Sequence, residues 1–155
     1  MTVPAAKSPT GATNRVRILI ADDHEVMRMG IRNLLEARAG WIVCAEARDG
    51  CEAVRQAIKS RPDVIIMDVT MPTMNGLEAA SSIAQAGLDI PVILFSLHVS
   101  EGLTHNVSWN GIRGAVNKSN AARDLIEAIE KVLHGGTFFP YTEPLPLRES
   151  STAQD

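Results

Sequence analysis

The chain has 155 residues, 45% of them hydrophobic and 21% charged, which is the make-up of a globular protein with room for one full core and too little chain for two ordinary domains. A formal charge of −3 leaves no basic footprint for nucleic acid, so direct DNA or RNA binding by this segment is not expected. No apolar run approaches a membrane span and no basic-then-apolar leader opens the sequence, which makes the cytoplasm, away from the membrane, the expected setting.

Residues 1–14 are rich in Ala, Thr and Pro without periodicity and read as a disordered leader. Val16-Arg17-Ile18-Leu19-Ile20-Ala21 reads as a buried strand that ends in Asp22-Asp23. Glu25 to Ala37 reads as a helix with Val26, Met29, Ile31, Leu34 and Leu35 inward and Arg28, Arg32, Glu36 and Arg38 on its polar side; Gly40 then stops it. Trp41 to Ala45 makes a short second strand, Asp49-Gly50 a turn, and Cys51 to about Lys59 a helix with Ala53, Val54, Ala57 and Ile58 inward. Cys44 and Cys51 stand in neither a metal-type nor a redox-type spacing, and are expected as small, mostly buried thiols.

Val64-Ile65-Ile66-Met67 is apolar without alternation, as a strand buried on both faces must be, and it runs straight into Asp68. Met71-Pro72 and Asn75-Gly76 are turn signals, and Leu77 to Ala86 reads as the next helix, closed by Gly87. Met67, Met71 and Met74 are expected to fill core and loop. Pro91 to Ser96 is a fourth buried strand, ending in a hydroxyl. Val99 to Asn110 should be a fourth helix, short or frayed, because Gly102, Thr104, Asn106, Val107 and Ser108 are modest or poor helix formers. Gly114 to Asn117 is a brief last strand ending at Lys118. Ala121 to His134 is the strongest helix, with Leu125, Ile126, Ile129, Val132 and Leu133 in one stripe and Gly135-Gly136 as its stop.

Strand and helix alternate five times with short connections. That pattern specifies an α/β fold, a doubly wound parallel sheet with right-handed crossovers and helices on both faces. Ligands bind such sheets at the C-terminal ends of their strands, and four strand ends here carry Asp22 and Asp23, Asp68, Ser96 and Lys118. A lone aspartate in a turn would ordinarily serve only its own backbone. Three carboxylates together repel unless a cation sits among them, and a hard divalent ion such as Mg²⁺ answers that need. An acidic cluster with a lysine and a hydroxyl suits Mg²⁺-assisted phosphoryl handling, with a carboxylate able to act as nucleophile. No Gly-rich phosphate loop accompanies it, so nucleotide binding has no motif behind it.

The runs Ile18-Leu19-Ile20-Ala21-Asp22-Asp23-His24, Asp63 through Pro72, Met74-Asn75-Gly76-Leu77-Glu78, Val92-Ile93-Leu94-Phe95-Ser96 and Gly111 through Lys118 together resemble the receiver domain of bacterial two-component response regulators, over about residues 15–140. The Asp-Asp-His start and the Gly-Gly-Thr-Phe-Phe ending are similar to the NarL/FixJ-like subfamily. The resemblance implies a flavodoxin-like (βα)5 fold with strand order 2-1-3-4-5. It implies that Asp68 is the phosphoacceptor and that Asp23, Asp68 and the backbone carbonyl of Thr70 bind Mg²⁺, with Asp22 helping to hold the ion. Ser96 and Lys118 would bind the phosphoryl group. Thr70 and His98 would flank it and tune dephosphorylation, although His98 in an exposed loop is an equal alternative. The donor would be a sensor histidine kinase, and the output a change in the surface of the fourth helix, fifth strand and fifth helix. The protein would be no enzyme beyond its own phosphorylation and dephosphorylation.

The sequence also departs from that pattern. Ala115 stands where the family commonly has an aromatic switch residue, and Val107-Ser108-Trp109-Asn110 replaces an Ala-Leu-rich helix, making Trp109 either a partner contact or a core residue. His24 is read as a loop residue starting a helix, since Mg²⁺ prefers oxygen ligands. Residues 141–155 read as a linker-like tail without the subfamily's helix-turn-helix output domain, and a homodimer is compatible with the sequence. The alternative reading is a pseudo-receiver, a binding or dimerisation module that keeps the fold without phosphorylation.

Overall fold

The computed structural model describes residues 15–99 and 111–140. The expected leader, the expected tail, and the expected fourth helix with Trp109 (Val99 apart) lie outside the described residues. Five strands, β1 (Val16–Ala21), β2 (Trp41–Ala47), β3 (Val64–Asp68), β4 (Val92–Ser96) and β5 (Ile112–Asn117), form one parallel sheet in the order β2-β1-β3-β4-β5. This is the architecture expected from the sequence. The helices are α1 (Glu25–Glu36), α2 (Gly50–Ser60), α3 (Gly76–Gln85) and, fourth among those described, the C-terminal helix α4 (Ala121–Leu133), which follows a 3₁₀ turn at Lys118–Asn120.

The unbroken apolar strands follow from two-sided burial. In β1, β3 and β4 the side chains alternate between two layers. Leu19, Ile65, Met67 and Leu94 pack on α2 and α3 through Ala53, Ala57, Ala79, Ala80 and Ile83. Ile18, Ile20, Ile66, Ile93 and Phe95 pack on α1 and α4 through Ile31, Leu35, Leu125, Ala128, Ile129 and Val132. Small alanines on α2 and α3 let those helices lie close to the sheet, while α4 fills the other side with branched residues.

Three local expectations are corrected. In α1 the buried stripe is Arg28, Ile31 and Leu35, spaced i, i+3, i+7, so Val26 and Met29 fall off it and are 81% and 56% exposed. In α2, Ile58 points outward on the flank of the Ala53–Ala57 stripe. Strand β2 runs two residues beyond Ala45, because the ladder with β1 skips Cys44 and resumes at Ala45, a bulge that breaks the alternation a strand is read by. Cys44 and Cys51 are free thiols of intermediate burial, in keeping with the small, mostly buried side chains expected.

The turn signals before α2 and α3 act as helix caps. Asp49 accepts from the Glu52 N–H at 2.8 Å, and Asn75 and Glu78 form a reciprocal capping box, so α3 starts at Gly76 itself. Gly76 is required there: a Cβ would stand 2.1 Å from the carbonyl oxygen of Asp68. Gly76→Ala is therefore expected to destabilise the fold by about 2–3 kcal/mol, since the clash is with backbone that cannot rotate away. Urea denaturation checks this, and an unchanged midpoint would show that the loop after β3 is not held as tightly as described.

Along the free edge of β5, Phe138 makes a single parallel bridge: its N–H donates to Arg113 O at 3.0 Å, and its carbonyl accepts from the Ala115 N–H at 2.8 Å. The chain after α4 is thereby tied to the outer strand. Among the described residues no helix is long and apolar enough to cross a membrane.

Candidate functional site

The strand register brings the chemistry to one edge. Ala21 pairs with Met67, Asp68 with Phe95, and Ser96 with Asn117, so Asp22, Asp68, Ser96 and Lys118 emerge together at the C-terminal ends of β1, β3, β4 and β5. Asp22 is fully buried, and Asp68 and Ser96 are buried as well. Asp23 and His24 stand at the mouth, the latter with its side chain 71% exposed.

Lys118 reaches in from the end of β5 with a side chain almost wholly buried. Its Nζ lies 2.8 Å from Asp22 Oδ2 and 3.3 Å from Asp68 Oδ2, and sits 5.6 Å from the centre of the Phe95 ring. The ammonium thus neutralises one of two buried carboxylates and leaves a surplus negative charge. Carboxylate and imidazole atoms of Asp22, Asp23, His24 and Asp68 all lie within 4.8 Å of one another, a donor set able to hold a metal ion. Oxygen donors predominate, which fits a hard cation, and the buried Asp22 Oδ2 has no aligned hydrogen bond despite the lysine beside it.

The remaining contacts hold the frame. Asp22 Oδ1 accepts from the His24 N–H at 2.8 Å, with the His24 Nδ1 3.3 Å away, while the same ring nitrogen lies 3.1 Å from Asp23 Oδ1. His24 is the N-cap residue of α1, although its side chain makes no cap, so the reading of a helix-starting loop residue agrees with its place. The Thr70 N–H donates to Asp68 Oδ1 at 3.3 Å, and the His98 N–H to Ser96 Oγ at 3.1 Å. Thr70 and His98 are exposed beside the pocket, on the loops that follow β3 and β4. Ala115 is fully buried in the layer shared with α2 and α3, against which Phe139 also packs.

Burial is the largest influence on Asp68, and with the repulsion of Asp22 it raises the carboxyl to about 6 even though the charge and hydrogen bond of Lys118 and the Thr70 N–H pull the other way. Burial acts to lower Lys118, but the close ion pair with Asp22 and the charges of both carboxylates outweigh it and lift the amine above its ordinary value. A carboxylate raised into this range binds a cation only by giving up its proton. Affinity for any divalent cation at this site is therefore expected to fall steeply below about pH 6, which calorimetric titration across pH checks.

Two residues of this neighbourhood escaped the sequence. Arg28, expected on the polar side of α1, is 9% exposed and donates from Nη1 to the Asp22 carbonyl at 2.6 Å and from Nε to Glu46 Oε1 at 2.8 Å. Glu46 lies on the two-residue extension of β2 and is held from outside by Arg32 at 2.9 and 2.5 Å. Burial raises the Glu46 carboxyl, but the hydrogen bonds and charges of Arg32 and Arg28 prevail and keep it below its usual range. The available signal was the position of Arg28 one turn before Ile31 and two before Leu35.

Residues 18–130 match the response regulator receiver domain family. The transcriptional regulatory protein DegU of Brevibacillus brevis is 37% identical over 125 residues, which cover 81% of this chain and 53% of DegU. A LuxR-family two-component response regulator from Aurantimonas sp. SI85-9A1 superposes with a TM-score of 0.76 at 35% identity, over 80% of this chain and 89% of that one. The response regulator domain of Thermotoga maritima CheB does so with a TM-score of 0.72 at 31% identity, over 77% and 97%. The chain spans a little over half the length of the curated relatives it matches, 53% of DegU and 55% of UvrY from Escherichia coli. With the acidic edge, the buried lysine and this match along most of its length, the chain belongs to the response regulator receiver domains of two-component systems, among relatives of the LuxR/NarL kind.

Proposed function

We propose that this receiver domain is a phosphoacceptor switch in which Asp68 takes a phosphoryl group from the phosphohistidine of a sensor histidine kinase. The observation that carries the reading is the placement of the Lys118 ammonium between the buried carboxylates of Asp22 and Asp68. Asp23, Asp68 and the Thr70 carbonyl would hold Mg²⁺, with Asp22 helping through water. When bound, the ion offsets charge on the carboxylates and on the phosphoryl oxygens.

In the transfer, an Asp68 carboxylate oxygen attacks phosphorus, the new O–P bond forms as the N–P bond breaks, and the electron pair returns to the imidazole nitrogen of the donor. Lys118 lies where it can neutralise a phosphoryl oxygen once Asp68 is esterified, and the Ser96 hydroxyl can donate to another. The Thr70 N–H on Asp68 Oδ1 orients the carboxylate. Thr70 and His98, exposed at the pocket's mouth, are placed to set how readily water reaches the acyl phosphate and hence the lifetime of the signal.

Ser96 drawn toward the phosphoryl group would shift β4 relative to β5 and so bias a two-state output surface. With Ala115 in the usual aromatic position, that shift has no ring at this point to turn, and among the described residues the edge of β5 with its Phe138 bridge is an element suited to carry it. DegU is named a transcriptional regulatory protein. By that likeness we assign this domain to the control of transcription in the cytoplasm, with DNA contact made by a module other than the acidic receiver.

Incubation with Mg²⁺ and acetyl phosphate, followed by intact mass and peptide mapping, tests the proposal. One phosphoryl group per chain on Asp68 is the expected result. No modification by this donor or by a kinase would favour a pseudo-receiver.

A further inference from the structure

From these contacts we infer that Arg28 is a positioning residue for the cation site, fixing the Asp22–Asp23 peptide so that the Asp23 carboxylate faces Asp68. The inference rests on the Mg²⁺ reading proposed above.

Asp22 is anchored on both carboxylate oxygens, by the His24 N–H at 2.8 Å and by Lys118 at 2.8 Å. Asp23 is not so held: the basic partner its carboxylate meets among the described residues is the largely exposed His24 ring at 3.1 Å. What places Asp23 is its backbone, and the peptide that precedes it is planar, so the direction of the Asp22 carbonyl fixes the plane from which the Asp23 Cα departs. Arg28 Nη1 donates to that carbonyl at 2.6 Å.

The guanidinium is in turn held rigidly. Its Nε donates to Glu46 on β2, and Glu46 is gripped from the other side by Arg32, so a chain of charge-assisted contacts runs from α1 and β2 to the loop after β1. An arginine is needed for this because one planar fork serves two acceptors at fixed angles, which a lysine nitrogen on a flexible stem does not reproduce. Its charge is matched by Glu46, so it orients the loop without opposing a cation in the pocket. This is the kind of outer contact whose loss weakens a metal site without touching a ligand.

The test is calorimetric titration of Mg²⁺ into the metal-free protein, with thermal melts of every variant. Arg28→Met is expected to weaken Mg²⁺ by about tenfold or more, Arg28→Lys to recover part of that, and Glu46→Gln to weaken it less. Ile31→Val loosens the same helix–sheet contact and is expected to lower the melting temperature while leaving Mg²⁺ affinity unchanged. Should Arg28→Met not fold, Arg28→Lys and Glu46→Gln carry the test. Folded Arg28 variants that bind Mg²⁺ as the wild type does would overturn the positioning role, as would an equal loss in Ile31→Val. A wild type that binds no Mg²⁺ would instead overturn the cation reading itself, and the inference with it.

Discussion

Asp68→Asn is expected to abolish phosphoryl uptake completely and, at neutral pH, to make the metal-free protein more stable than the wild type. The first effect follows from chemistry, since an amide oxygen does not form the acyl phosphate that a carboxylate does. The second follows from the environment. Asp68 is buried beside Asp22, and its carboxyl titrates near 6 instead of 3.8, so the folded state holds its proton more tightly than the unfolded chain. The stability this contributes is fully present below the ordinary value and is lost as pH rises through about 6. At neutral pH the charged form costs about 2–3 kcal/mol, the free energy of a shift of that size, and asparagine removes the cost. Urea denaturation should show the variant ahead of wild type at neutral pH, with the gap closing as the pH is taken down to about 4. Added Mg²⁺ should stabilise the wild type and hardly affect the variant. A variant that is phosphorylated on another residue, or is less stable than wild type at neutral pH, would contradict this description of the pocket.

Lys118→Met tests the same balance from the other side. Among the described residues the lysine is the one cation in contact with both buried carboxylates, 2.8 and 3.3 Å away, and methionine keeps most of its length without its charge. Leaving buried charges uncompensated costs about 3–5 kcal/mol, so a large loss of stability is expected at neutral pH. The loss should shrink as the pH falls and the carboxylates take up protons, and Mg²⁺ should restore part of it by supplying positive charge to the same oxygens. Phosphoryl uptake by the folded variant should be strongly slowed, because nothing from β5 then meets the phosphoryl oxygen. Equal stability of variant and wild type from pH about 4 to neutral would mean that the ammonium does not hold the pocket together.

What could be read from the sequence, and what could not, divides along physical lines. The strands were legible because a central parallel strand is buried on both faces and shows as an uninterrupted apolar run; Val64 to Met67 and Val92 to Phe95 are such runs. The site was legible because each run stops abruptly in a polar residue at the same end, and parallel strands bring those ends to one edge. The rotation of α1 was not. Hydrophobicity favoured Val26 and Met29 as inward residues, whereas the helix turns Arg28 inward to meet Glu46 and the Asp22 carbonyl. A buried ion pair leaves no trace in hydrophobic periodicity, and Glu46 was further hidden by the bulge at Cys44, which ended the strand pattern early. The close tie between Lys118 and Asp22 was also beyond reach, because sequence brought the lysine to the edge without showing which carboxylate it would favour.

The most direct measurement is a crystal structure of the protein with Mg²⁺ and beryllofluoride. The expected result is a beryllofluoride group on an Asp68 carboxylate oxygen, contacted by Lys118 and Ser96, with one Mg²⁺ bound to Asp23, Asp68 and the Thr70 carbonyl. An Asp68 carboxylate left bare under saturating ligand, or an ion bound away from this edge of the sheet, would contradict it.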